Sequence, residues 1–461
     1  MFVYAAGALW AAGDKEPPLD GERIAGPEEQ GRLPTDQRSR LLHAIVAIVA
    51  EAGFPEAKIG DIAKQAGVSR ATFYELFENK QACFIEAQRR LGRDLLEITA
   101  RAIQAAEPER ALESIFATIV RFADENPAQF AFLVHESMLA GPAALTLRDE
   151  LIAKITDQVE RVHRSLPADA PLPDVPTRML LGGLIRVLGI RMRAGQLECE
   201  TLLTEISGWI DQFRVAGGHT RRWSLSGKDA ATLRAHGRPS AVAPAPLPRG
   251  RHRLPPELVE RIQRERIMHA ATEVIRMKGY LSTTVSDIVA AAGVSREVFY
   301  SHFHSRADAY TATHRMIFEQ LMAVTAGAFF AASGLWPDQV WDAGAALTSF
   351  VAGAPGLAHF GFVESYALGS AIARRTDDAM IAFTVFLREG QRYRPQAPEP
   401  SVTAADATVV AAIDMVAYDV RHGRTEDLFG LEPVTSYMIL APFLGAEEAR
   451  AFVEEKVRGG G

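Results

Sequence analysis

From Asp36 onward, "DQRSRLLHAIVAIVAEAGF" places Leu41, Leu42, Ile45, Ile48 and Val49 at three- and four-residue spacing among polar positions. That spacing predicts an amphipathic helix, and Gly53 ends it. The pattern returns in "ELVERIQRERIMHAATEVIRMKGY". Arg38, Arg40, His43 and Gly53 align without a gap with Arg264, Arg266, His269 and Gly279, each 226 residues on. Helical spacing then runs to about residue 214 in the first copy and about 456 in the second, broken at length only by "SLPADAPLPDVPT" (165–177). No alternating strand run stands out. The chain reads as all-α and built twice, with an offset too long for a solenoid period.

The repeat is sharpest in "KIGDIAKQAGVSRATFYELFENKQACF" (58–84) and "TVSDIVAAAGVSREVFYSHFHSRADAY" (284–310). In the first, Ile59, Ile62, Ala63 and Ala66 give a short helix an apolar face. Gly67 permits a sharp left-handed turn, Val68 plugs it, and Ser69 can cap the next short helix. Asn79 is a good cap for a longer third helix. The second copy keeps Ile288, Ala292 and Phe303 in the matching places, and Ser305 with Asp308 spells a capping box. Two short helices hinged on a glycine are the grammar of a helix-turn-helix, whose second helix enters the major groove of DNA.

These residues resemble the N-terminal domain of the tetracycline-repressor (TetR) family of bacterial transcriptional regulators. "FADENPAQFAFLVHESMLAGP" with "GGLIRVLGIRMRAGQLECETLLTEISGWI", and more loosely "FVAGAPGLAHFGFVESYALGS" with "AAIDMVAYDVRHGRTEDLFGLEPVTSYMI", resemble that family's C-terminal half. The resemblance implies two tandem units, each a three-helix helix-turn-helix domain followed by a helical ligand-binding and dimerisation domain. It also implies that the last two helices of each unit pair, so that one chain forms an intramolecular pseudo-dimer, with a further homodimer of four heads as the rival. The expected organisation is a disordered tail (1–35), head 1 (36–82), body 1 (83–215), a linker (216–256), head 2 (257–308) and body 2 (309–461).

On the reading helices, Ser69, Arg70 and Thr72 face the groove, with Ser295, Arg296 and Val298 as counterparts. Arginine can bind guanine O6 and N7 together, and a threonine methyl can touch thymine. Glu297 replaces Ala71; it can accept from cytosine N4, pair with a neighbouring arginine, or repel phosphate. Tyr74 and Tyr300 are placed to reach phosphates, joined by Lys80 and Arg306 at the next helix N-terminus. Lys58 stands where the family often has a capping threonine, which the second copy keeps as Thr284; both belong to the expected backbone contacts. Phe73, Phe77, Phe299 and Phe303 read as core. Arg38, Arg40, Arg264, Arg266 and "RGRHR" (249–253) either trail into a minor groove or form a solvated face. In the bodies, Phe122, Phe132, His135 and Met138, and Phe350, His359, Phe362, Tyr366 and Phe383, are candidates to line an effector pocket, with ordinary core as the alternative. Glu136 and Glu364, in "HES" and "VES", suit either a buried ion pair or ligand reading.

Composition changes this picture little. The net charge is −7 and the chain is 48% hydrophobic, so no global basic excess announces nucleic acid. Within 36–82 six basic residues face six acidic ones, so placement must do the binding. Residues 13–35 are rich in Gly, Pro and charge, and 216–256 in small and basic residues with "APAPLP", which reads as tail and linker. Cys83 and Cys199 form no framework, the apolar start lacks a basic n-region, and no later segment reaches spanning length without charges; the expectation is a cytoplasmic protein away from membranes. No G-x-S-x-G, P-loop, dinucleotide fingerprint or metal spacing is present, which argues against an enzyme, a cofactor and a metal site. The pattern as a whole predicts a regulator, a repressor by expectation, that holds double-stranded operator DNA through two heads and releases it on binding a small, largely apolar effector. The alternative is a sensor or protein-interaction module in which one or both heads no longer bind DNA.

Overall fold

The computed structural model describes residues 36–216, 244–245, 254–280 and 282–459. The tail, most of the linker and "RGRHR" lie outside the described residues. In the first unit the helices are α1 (Gln37–Ala52), α2 (Ile59–Gln65), α3 (Arg70–Leu76), α4 (Lys80–Ala105), α5 (Ala111–Glu125), α6 (Pro127–Ala131), α7 (Ser137–Leu139), α8 (Pro142–His163), α9 (Thr177–Arg193) and α10 (Cys199–Asp211). The second unit has α11 (Pro256–Lys278), α12 (Val285–Ala292), α13 (Arg296–His302), α14 (Arg306–Ala331), α15 (Trp336–Gly353), α16 (Pro355–Phe362), α17 (Ser370–Ile381), α18 (Val385–Tyr393), α19 (Val402–Arg421), α20 (Glu432–Leu444) and α21 (Ala446–Gly459). The sequence pattern missed a short antiparallel ribbon, β1 (Pro171–Pro173) with β2 (Arg214–Ala216), in which Leu172 faces Val215. Three residues per strand are too few for alternation to register.

Local chemistry accounts for the helix ends. Asp36 caps α1 by accepting from the Ser39 N–H, and Gly53 stops it at φ 80°. The long helices α4 and α14 start in the heads and run deep into the bodies, so the expected boundaries at 82/83 and 308/309 fall inside single helices. Head and body are joined rigidly by backbone hydrogen bonds.

The two units meet along α9 and α19. Gly182 and Gly183 make the approach possible. A Cβ on Gly182 would stand 2.7 Å from Asp414 Oδ2, and one on Gly183 would stand 2.8 Å from Ala411 Cβ and 3.0 Å from the Ala407 carbonyl. Trp209 of α10 donates its indole N–H to Thr408 Oγ1 at 2.9 Å, and Phe213 meets Tyr437 of α20. Around this apolar seam, Arg191 pairs with Asp406, Arg421 bonds both oxygens of Asp149, and Arg450 pairs with Asp174. Among the described residues, no single helix is long and apolar enough to cross a membrane.

Candidate nucleic-acid interface and its coupling to the bodies

Each head is built around a buried pair of phenylalanines. Phe73 and Phe77 are 0% and 4% exposed, and Phe299 and Phe303 are 0% and 1% exposed. Gly67 (φ 63°) and Gly293 (φ 64°) supply the left-handed turn. The Val68 and Val294 N–H groups close it on the Ala63 and Val289 carbonyls. Ser69 accepts from the Thr72 N–H at 3.0 Å, and Ser295 from the Val298 N–H at 3.1 Å, capping α3 and α13. Because the phenylalanines hold one face inward, the other face of each reading helix must look out. Arg70, Ala71 and Tyr74 are exposed there, as are Arg296, Glu297 and Tyr300, while Thr72 and Val298 are half-buried. The tyrosines are 59% and 55% exposed.

Both arginines fold back toward the start of the preceding helix. Arg70 Nη2 lies over Gly60, 2.3 Å from where a Cβ would be, and Arg296 Nη2 donates to Ser286 Oγ at 2.7 Å. Gly60 and Ser286 occupy the same place in the two copies. Lys58 is exposed and makes no cap, whereas Thr284 forms a full capping box with Asp287. Lys278 adds an ion pair to Asp287 at 2.5 Å, holding that carboxyl down at about 2. The box expected at Ser305 forms only by half: Ser305 accepts from the Asp308 N–H, but Asp308 accepts from the His304 N–H instead.

Lys80 and Arg306, expected at phosphates, turn inward. Lys80 Nζ donates to the carbonyls of Phe54 (2.6 Å), Ala57 (2.8 Å) and Pro55 (3.2 Å) and sits over the Phe54 ring. Arg306 donates to the Thr283 carbonyl and lies over Tyr280. In each head a cation at the start of the long helix thus satisfies carbonyls of the loop after the first helix. The first-helix arginines also knit the heads together. Arg38 bonds Glu86 through two nitrogens, Arg264 donates to the His302 carbonyl, and Arg266 donates to the carbonyls of Ala292 and Pro244.

Each glutamate lies beside a histidine, Glu136 3.8 Å from His135 and Glu364 3.5 Å from His359, and also accepts a backbone N–H. Glu136 Oε2 accepts the Phe54 N–H at 2.7 Å, and Glu364 Oε2 accepts the Tyr280 N–H at 3.2 Å. Phe54 and Tyr280 each follow the glycine that ends the first helix, so the same latch fastens head to body twice. Glu136 lies in a π turn, Phe132–Glu136, between α6 and α7. Burial pushes its carboxyl up to about 7, against the pull of the Phe54 N–H and Arg193. Burial, then Arg193 and Arg186, drive His135 down to about 3, so it is neutral. Arg193 touches His135 Nδ1 at 3.1 Å and pairs with Asp377 of the second unit. A polar chain therefore leads from head 1 through Glu136 and His135 to the other body. The repeated "ES" after an apolar run was the available signal.

Most expected pocket residues fill core or interface. Phe132 stacks on Phe84 at 4.0 Å between ring centres, and Phe122, Phe350 and Phe362 are buried. Met138 and Tyr366 both contact Arg186, and His359 lies 3.5 Å from Glu364. Phe383 does line a partly open cavity of about 80 Å³ between α14, α15, α18, α19 and α20. In body 1, a groove of about 390 Å³ runs past Arg110, Glu113, Phe116, Leu203 and Ile206, none of them expected.

Comparison with known proteins matches residues 41–87 and 267–312 to a family described as bacterial regulatory proteins, tetR family. The HTH-type transcriptional repressor KstR of Mycobacterium tuberculosis is 29% identical over 146 residues, 31% of this chain, and the chain spans 61% of that repressor's length. Among solved structures, the regulator FadR of Bacillus subtilis, in complex with stearoyl-CoA, overlays 39% of this chain and 97% of its own at 16% identity and TM-score 0.33. The fatty acid degradation regulator FadR of Bacillus halodurans overlays 37% and 96% at 19% identity and TM-score 0.31. Similarity that low carries no functional weight.

Proposed function

Because the chain belongs to the tetR family of bacterial regulatory proteins and is made of two tandem units, we propose that it is a non-enzymatic, ligand-responsive transcriptional regulator acting as a repressor. Its two heads would bind one operator side by side, with the bodies paired inside a single chain. The observation that carries this reading is the duplicated reading helix: an exposed arginine and tyrosine on one face, over a buried phenylalanine pair on the other. The contacts between α9 and α19 support the pseudo-dimer. Ala71 and Thr72 stand opposite Glu297 and Val298, so the two half-sites differ in sequence and the operator is asymmetric. An effector that binds better to a body with its latch displaced would swing the head off half-site spacing. Sequencing DNA fragments retained by the purified chain tests recognition and symmetry together. A perfectly palindromic consensus, or no enrichment, would overturn the proposal.

The second reading, a module in which one or both heads no longer bind DNA, draws on the inward turn of Lys80 and Arg306 and, for head 2, on the acidic Glu297 on α13. Mobility shifts with Arg70→Ala and Arg296→Ala separate the two. Loss in both supports two working heads, and loss in the first alone makes head 2 a scaffold.

A further inference from the structure

Arg70 and Arg296 open the two reading helices at equivalent positions, yet their guanidinium groups rest on different supports. Arg296 Nη2 donates to Ser286 Oγ at 2.7 Å, in the first turn of α12. Arg70 Nη2 lies over the same place in α2, but the residue there is Gly60, which offers no side-chain oxygen. A Cβ on Gly60 would come within 2.3 Å of Arg70 Nη2 and 3.0 Å of Cζ and Nε, so the guanidinium lies on bare backbone. The residue two places earlier differs as well. In head 1 it is Lys58, exposed and capping nothing, which leaves an ammonium at the start of α2. In head 2 it is Thr284, whose hydroxyl is committed to Asp287, and Lys278, the cation beside that carboxylate, is paired with it.

In a helix-turn-helix the first helix of the pair crosses the DNA backbone, while the start of the second meets base edges. An arginine that opens the second helix can serve either, according to where its guanidinium is held. We infer that residues 60 and 286 divide this work: Ser286 holds Arg296 at the phosphates, and Gly60 releases Arg70 to a guanine in the groove. This rests on the reading of the heads as DNA-binding. The charges favour the same division. Lys58 already brings a cation to the backbone side of head 1, and Arg70 gains two hydrogen bonds by turning to guanine O6 and N7. In head 2 the threonine is turned to Asp287, so Arg296 supplies the backbone contact instead. Ser286 is thus a positioning residue for Arg296, and half-site 1 demands a guanine that half-site 2 does not.

Mobility shifts of the full chain test the division, using the operator it retains, every single-base variant of that operator and a salt series. Arg70→Ala should weaken operator binding about tenfold and erase discrimination at one base pair of half-site 1. Arg296→Ala should weaken binding to all the duplexes alike and make the log–log salt dependence shallower by about 1. Ser286→Ala removes the hydroxyl without loosening the helix. It should create a guanine preference of about fivefold in half-site 2, the shift that one exposed hydrogen bond allows. Ser286→Thr, which keeps the hydroxyl, should behave as wild type, and Gly60→Ser should weaken the guanine preference in half-site 1. Equal loss of discrimination with either arginine, or a Ser286→Ala variant with no new base preference, would overturn the inference and leave the heads as DNA readers. Retention of no duplex at all would overturn that reading, and the inference with it.

Discussion

Head 1 and head 2 share one backbone plan and differ in how tightly each part is held. In head 2 the first helix of the pair is locked by Thr284, Asp287 and Lys278, and Arg296 is tied to Ser286. In head 1 Lys58 caps nothing, and Gly60 leaves Arg70 without a side-chain partner at that place. The latch has the opposite bias. Glu136 is nearly fully buried with a 2.7 Å hydrogen bond, while Glu364 is half-buried with a 3.2 Å one. Head 2 is therefore the more rigid reader and head 1 the more firmly wired to its body. Duplication preserved the turn and the core and let the capping and the coupling diverge.

The largest blow falls on what the heads share. Phe73→Ala and Phe299→Ala should each lose about 3–5 kcal/mol of local stability, read as early hydrogen exchange confined to the mutated head. Equal loss of protection in both heads would mean that they unfold as one unit.

The latch comes next. Glu136 keeps a proton in the folded chain that the unfolded chain gives up above about pH 4.5, so wild-type stability falls as pH climbs from there to about 7 and levels off beyond. Glu136→Gln removes that fall. Its stability relative to wild type should rise across the window by about 3 kcal/mol, measured by denaturant titration at a series of pH values. A difference that does not change with pH would show that Glu136 does not hold its proton in the folded chain.

Arg70→Ala and Arg296→Ala should each weaken operator binding by about 1–3 kcal/mol if the arginine reads a guanine. Because Arg70 has no side-chain anchor, its loss should be the larger in mobility shifts. The smallest effect concerns the cap: Thr284→Ala should cost about 1 kcal/mol, and Lys58→Thr should recover a similar amount in head 1, by thermal unfolding. No gain from Lys58→Thr would show that the missing cap is not what loosens that head.

The heads were legible because their information is local. Gly67, Ser69 and Phe73 lie within seven residues, and each acts on neighbours along the chain. Lys80 was placed at the start of the right helix, but the carbonyls it binds were not foreseen, since they lie 23–26 residues back in a loop whose path depends on packing. Which of the expected aromatics line a cavity was illegible for the same reason. Aromatic residues at helical spacing look alike whether they line a cavity or fill one, and Phe132 and Phe383 part ways only when neighbouring helices dock.

The amino-acid order alone determined that this chain is two helical units with glycine-hinged heads, because turns, caps and amphipathic spacing act within a few residues. Only the tertiary structure decided which carboxylate latches which head, where a cavity survives, and that Gly182 and Gly183 admit α19. Those outcomes depend on atoms brought together from 82 to more than 200 positions apart, and no local pattern encodes such a meeting.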